Sequence, residues 1–332
     1  MLVNQQNAMF VRVGSALFYG VSSFMITVVN KMVLTTFGFP SFQVLGIGQM
    51  LATIFVLFLA KKLRYVDFPN LEVATFVKIW PLPMIYIVSE ISTVRRYSAY
   101  KAFEEDYAKH HIFLSNFQRA ALTVGSAVIS LADPSRGDMI ACLAETSSGN
   151  ALAHCLNKMN KSPEGQRILR ERPRINSSTI DLSLLKQLPN GTVGKTYSNF
   201  LEMNKVTPDS RVPTRFIDDI EQAYVMQRYR EIHDICHAVL LMPTTMLGEV
   251  TVKWIEGLQT QFPMCIGGAI FGAARLRARQ RKLYLNHYLQ WAIKTGNNAQ
   301  FLLNVYFEER WEQPLRDFHK EMNIVSLIPL SE

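Results

Sequence analysis

The chain has 332 residues, a formal net charge of +8 and 48% apolar residues, enough for one large or two ordinary domains. Its four cysteines, at 142, 155, 236 and 265, share no Cys-x-x-Cys spacing, so they read as buried thiols in a reducing compartment and exclude a disulfide frame. No stretch interleaves Lys or Arg with aromatics, which excludes nucleic acid as a partner, and the diffuse basic balance suits an anionic membrane or acidic small molecules.

The apolar excess is concentrated at the front. Residues 41–60 carry no charge and are closed by Lys61, Lys62 and Arg64. That length matches one hydrocarbon crossing, and the basic run suits an interfacial stop. Residues 13–38 form a second candidate, weakened by Asn30 and Lys31. Residues 76–94 form a third, interrupted by Lys78, Glu90, Pro81 and Pro83. Charges of this kind are costly in lipid. The expectation is two or three transmembrane helices within 1–94, a polar and aperiodic junction over 95–106, and a larger domain over 107–332. The first residues lack both a signal cleavage site and the Arg- and Ser-rich character of a transit segment.

From Leu114 the pattern is helical. Phe117, Leu122, Val124, Val128 and Leu131 predict a packed helix that ends before Asp133 and Pro134. Further helices are predicted over 138–143, 150–159 and 195–203, with Ser162-Pro163 as another start and Leu188-Pro189-Asn190-Gly191 as a turn. Asp218 or Asp219 is placed to cap a helix running from about Ile220. No alternating β-branched run is long enough for a sheet, so the fold class over 107–332 is all-α.

That last helix carries the chemistry. In HDICHAVLLMPTTMLGE, His233 and His237 are four apart and share a helical face. Asp234 can reach the same point from the flank. An unbroken helix would carry Glu249 about 18 Å beyond His237, but Pro243 cannot continue the ladder and is suited to open a new helix. Helix, turn at Met242-Pro243-Thr244 and second helix would bring Glu249 back over the histidines. Two imidazoles and two carboxylates suit zinc or another divalent first-row metal. The competing reading is a chance pair of histidines on a solvated helix face; against it, the histidines fall along the edge of the apolar stripe of Val225, Tyr229, Ile232, Cys236 and Leu240, where a semi-buried site is expected.

Further on, MCIGGAIFGAARLRARQRK sets a short apolar piece beside Arg275, Arg277, Arg279, Arg281 and Lys282. Apolar patch next to basic cluster is what peripheral contact with anionic lipid requires.

His-Asp-x-x-His, eleven residues and then Glu resembles the signature of the coenzyme Q biosynthesis protein 4 family. So do ALTVGSAVISLADPSRGDMIACLAETS from Ala121, LPNGTVGKTY from Leu188, VPTRFIDD from Val212 and NVYFEERWEQPLRDF from Asn304. The resemblance covers nearly all of 107–332. It implies His233, Asp234, His237 and Glu249 as metal ligands and catalytic residues. The implied activity is a carboxy-lyase step at ring carbon 1 of a 4-hydroxy-3-methoxy-5-polyprenylbenzoate, with coupled hydroxylation of that carbon in the fuller account. Arg228, Arg230 and Arg310 are candidate partners for the anionic head group. The implied setting is the matrix face of the mitochondrial inner membrane, held peripherally, within a complex of other ubiquinone-biosynthesis enzymes; a homodimer is compatible with it. The alternative is a non-catalytic, polyprenyl-lipid-binding scaffold with a structural metal.

The front has a resemblance of its own. SALFYGVSSFMITVVNKMVLTTFGFP followed by LGIGQMLATI is similar to the opening of nucleotide-sugar transporters, over about residues 10–90. It implies a fused chain, integral in a secretory membrane, in which residues 95–107 are extended or poorly packed.

Overall fold

The computed structural model describes Lys62 and residues 102–328. The chain divides into two units, Met1–Met84 and Ile85–Glu332, and every element named below belongs to the second. In order these are α1 (Asn116–Ala132), α2 (Gly137–Ser147), α3 (Gly149–Asn160), α4 (Pro163–Glu171), α5 (Leu182–Gln187) and α6 (Val193–Asn204). They are followed by α7 (Ile220–Val239), α8 (Met246–Thr260), α9 (Pro263–Ala274), α10 (Ala278–Leu283), α11 (Leu289–Asn298) and α12 (Leu315–Glu321). Among the described residues, the one departure from helix and loop is an isolated bridge between Thr192 and Pro314.

The helix starts are written in side chains. Ser115 and Gln118 exchange hydrogen bonds in a capping box ahead of α1. Ser162 caps α4 with Pro163 in its first turn, Thr192 caps α6, Asp219 caps α7 and Thr245 caps α8. Each occupies first-turn N–H groups that have no intrahelical acceptor.

The centre of the fold is α7, wrapped by α3, α4, α6 and α8. Every residue from Ala223 to Val239 is buried. The sequence pattern predicts an apolar stripe with histidines along its edge; the structure instead encloses the helix on all sides. Most of its charged side chains therefore find partners inside. Arg228 meets Glu308 and the Val305 carbonyl, Arg230 meets Glu145, and Glu231 accepts from Arg174 and the Ile175 amide. Against α7, α8 packs closely on α9; a Cβ on Gly272 would lie 2.7 Å from Val250, so only a glycine permits that approach.

Two expectations are revised by packing. The apolar residues of α1 face outward, with Phe117 83% and Val124 65% exposed. The side that meets the protein is the one bearing Arg119, Thr123, Ser126 and Ala127. Residues 102–110 are helical, not extended. Phe103 and Tyr107 join the core, and Tyr107 binds the Ile217 backbone.

The expectation of transmembrane helices is corrected. Among the described residues no helix is long and apolar enough to cross a membrane. Segments 13–38, 41–60 and 76–94, on which that expectation rested, lie outside the described residues. The four cysteines are free and buried.

Candidate metal centre

The reversal between α7 and α8 builds the site. Helix α7 ends in a Schellman turn: the Met242 amide donates to the His237 carbonyl and the Leu241 amide to the Ala238 carbonyl. Leu241 takes the left-handed conformation, φ 55°, that such a turn demands. Pro243 follows, Thr245 caps the new helix, and Glu249 falls in the first turn of α8. A carboxylate there also meets the positive end of the helix dipole.

This geometry gathers His233, His237 and Glu249, whose ligand atoms all lie within 4.8 Å of one another. Glu249 Oε2 is 3.4 Å from His237 Nε2 and 3.8 Å from His233 Nε2. Both rings are oriented through their other nitrogen. His233 Nδ1 bonds Glu256 Oε1 at 2.6 Å, and His237 Nδ1 bonds the Met242 carbonyl at 3.1 Å. With Nδ1–H donating in each case, both Nε2 lone pairs face Glu249, the arrangement in which histidines bind metals. His237 Nε2 is fully enclosed and has no hydrogen-bond partner. A buried nitrogen left open beside a carboxylate fits a cation. The cluster can therefore coordinate a divalent metal.

The electrostatics favour a cation beside Glu249: the neutral form is favoured at His233, while with no ion bound the cation favoured there is protonated His237. Burial and Lys253 depress the pKa of His233 despite Glu256, which keeps the neutral, ligating form. Burial alone would lower His237 and raise Glu249; their mutual attraction outweighs it, raising His237 and driving Glu249 down to about 2. Glu256 is held below the usual carboxylate range because His233 and Lys253 outweigh its burial.

The fourth sequence candidate lies elsewhere. Asp234 forms an ion pair with Arg211 and is absent from the converging set. The head-group candidates are also engaged within the protein. Arg228 is held by Glu308, Arg230 by Glu145 and by the Ala141 and Val212 carbonyls, and Arg310 by Glu164 and Glu321. The residues that sequence reasoning passed over are Lys253 and Glu256. With Glu249 they are spaced four and three apart, which puts all three on one face of α8. That spacing was the available signal.

A cavity of about 870 Å³ opens onto the cluster. Leu131, Ile140, Leu143, Met264 and Phe271 are among its walls, and His233, Glu249, Tyr229 and Lys253 are at the metal end.

An all-helical fold with two histidines and a carboxylate clustered beside a largely apolar cavity, which His233 and Glu249 line, defines a helical protein with a candidate metal centre. The model of the family described as coenzyme Q (ubiquinone) biosynthesis protein Coq4 matches residues 107–327, and the chain belongs to that family. Among its relatives is the ubiquinone biosynthesis protein COQ4 homolog, mitochondrial, of Bombyx mori. It is 54% identical over 252 residues, covering 75% of this chain and 97% of the relative. The homolog of the same name from Anopheles gambiae is 53% identical over 227 residues, covering 68% of this chain and 80% of the relative. A crystallised protein of Nostoc punctiforme, named for ubiquinone biosynthesis, shares the fold. Its TM-score is 0.50 at 19% identity, covering 62% of this chain and 99% of that one. The family match lends no support to the transporter resemblance at about residues 10–90.

Proposed function

We propose that the chain is a metal-dependent lyase of ubiquinone biosynthesis acting on the anionic ring of a polyprenylated hydroxybenzoate. The observation that supports this most is the enclosed and unpartnered His237 Nε2, facing Glu249 beside a largely apolar cavity of about 870 Å³. His233, His237 and Glu249 would hold the ion, with zinc favoured by two imidazoles and one carboxylate. Such a dication supplies Lewis-acid stabilisation of negative charge on the head group.

The chain's own residues do the rest. Glu256 and the Met242 carbonyl fix the tautomers of the two histidines. Arg211 neutralises Asp234 beside the site. A ring and its apolar chain held against the apolar walls would displace water and so strengthen the charge interactions beside the cluster. In the lyase step the bond from ring carbon 1 to the carboxyl breaks, carbon dioxide leaves, and a proton takes its place on carbon. Hydroxylation of the same carbon would further require dioxygen and a reductant.

The names of the relatives support a mitochondrial setting, and the same proposal puts the protein peripherally on the matrix face among other enzymes of the pathway. Membrane contact is supported by the outward apolar residues of α1 and by Ile270 and Phe271 on α9. It is supported as well by the exposed Arg275, Arg277, Arg279, Arg281 and Lys282, which have no carboxylate partner among the described residues. The protein should sediment with vesicles containing anionic lipid and release from them when Arg277 and Arg279 are both changed to Ser. Unchanged sedimentation would remove this face from membrane binding.

The function is tested on purified protein. It should contain about one zinc-class ion per chain and convert a short-chain prenylated 4-hydroxy-3-methoxybenzoate to its decarboxylated product. His237→Ala should lose most of the metal and the turnover together. Full metal occupancy in that variant, by elemental analysis, would refute the ligand set. A metal-loaded wild type without turnover would favour the scaffold alternative.

A further inference from the structure

We infer that Lys253 is the anchor for the substrate's carboxylate, and that it selects monoanionic rings over their neutral counterparts. The inference rests on the function proposed above and adds a residue and a specificity to it.

Three observations carry it. Lys253 lines the cavity next to His233 and Glu249, and its side chain is 14% exposed. Its ammonium donates to Glu256 Oε2 at 2.7 Å and to the Tyr229 hydroxyl at 2.9 Å. A third neighbour, His233 Nδ1, stands 3.4 Å away. That nitrogen already donates its proton to Glu256 and so cannot accept another. An ammonium has three N–H donors, which leaves one of them without a protein acceptor at the wall of the cavity.

Charge counting gives the preference. Of the charged groups lining the cavity or touching its ligands, Glu256 balances Lys253, Asp234 balances Arg211, Glu145 balances Arg230 and Arg136 balances Asp138, while the exposed Arg275 has no carboxylate partner among the described residues. At the ligand cluster itself Glu249 has no basic side chain of its own, and beside a bound dication it would leave one positive charge there. A single carboxylate neutralises that excess, and a charge-assisted hydrogen bond from Lys253 fixes where it sits. Arg228 and Arg310 cannot substitute, because carboxylates of the protein already hold both.

The test is binding rather than turnover, on the full-length, metal-loaded chain. The probes are a prenylated 4-hydroxybenzoate and the same ring without its carboxyl group. Wild type should bind the carboxylate at least tenfold more tightly. Lys253→Gln keeps hydrogen-bond donors but loses the charge; it should lose about tenfold in affinity for the carboxylate and less than about twofold for the phenol, with metal content unchanged. Lys253→Arg should restore most of the discrimination. Equal loss for both probes in Lys253→Gln would make the lysine merely structural and overturn the inference. So would a wild type that does not discriminate, whether or not the variants fold. Because metal content and turnover are read separately, failure of the lyase reading leaves a different signature: discrimination intact and no product.

Discussion

Gly248→Ala is expected to be among the most damaging single-methyl additions in the protein. A Cβ at Gly248 would stand 1.9 Å from the Pro243 carbonyl oxygen, a backbone atom that cannot swing aside. Overpacking ordinarily costs about 1–3 kcal/mol and more where backbone must move. For a domain of this size that corresponds to a fall in melting temperature on the order of 10 °C. The same displacement would pull Glu249, the next residue, away from the histidines, and metal affinity should drop on the order of tenfold or more. Gly125→Ala is the control. It lies within α1 with nothing within 4 Å of its Cβ, so alanine should be neutral or stabilising by about 0.5–1 kcal/mol. Thermal melting and metal analysis on both variants decide the matter. A Gly248→Ala protein with native melting and native metal would mean that the turn does not set the site.

Glu308→Gln is expected to cost about 3–5 kcal/mol, the usual penalty for stripping the partner from an enclosed charge. The Arg228 side chain has 0% exposure, and in the variant the guanidinium keeps only neutral acceptors, the Val305 carbonyl and the glutamine amide oxygen. Urea unfolding should show the midpoint fall while metal per folded molecule and affinity for the ring carboxylate stay constant. The double variant Arg228→Met, Glu308→Gln should recover part of the loss, since two neutral groups leave no buried charge. Were Arg228 a head-group partner, the single variant would alter ligand affinity and leave stability nearly untouched. This measurement therefore separates the two roles that an inward arginine can have.

Local grammar was the legible part of this chain. Pro243 announced a turn, Asp219 and Ser162 announced helix starts, and the distance from His237 to Glu249 required a reversal. All are decided within a few residues by backbone sterics and capping. What depends on the neighbours was not legible. Asp234 sits next to His233 in sequence, but its carboxylate answers to Arg211 from a loop, which no spacing rule announces. The outward face of α1 escaped for the opposite reason. Periodicity reports that Phe117, Val124 and Val128 share a side, and says nothing of which side meets the protein. Lys253 and Glu256 were within reach of a spacing argument once Glu249 had been placed on α8.

The enclosure of α7 bears on how this protein can vary. A helix with one wet face can change half of its letters at little cost, and lineages diverge there first. Here no residue between Ala223 and Val239 has such latitude. Charged positions are held by partners from distant segments: Glu308, Glu145 and Arg174 each lie more than fifty positions away along the chain. A change on α7 is tolerated only with a matching change far off, so drift along this helix has to proceed in pairs. Heritable defects in the protein should accordingly fall on α7 and on those remote partners together.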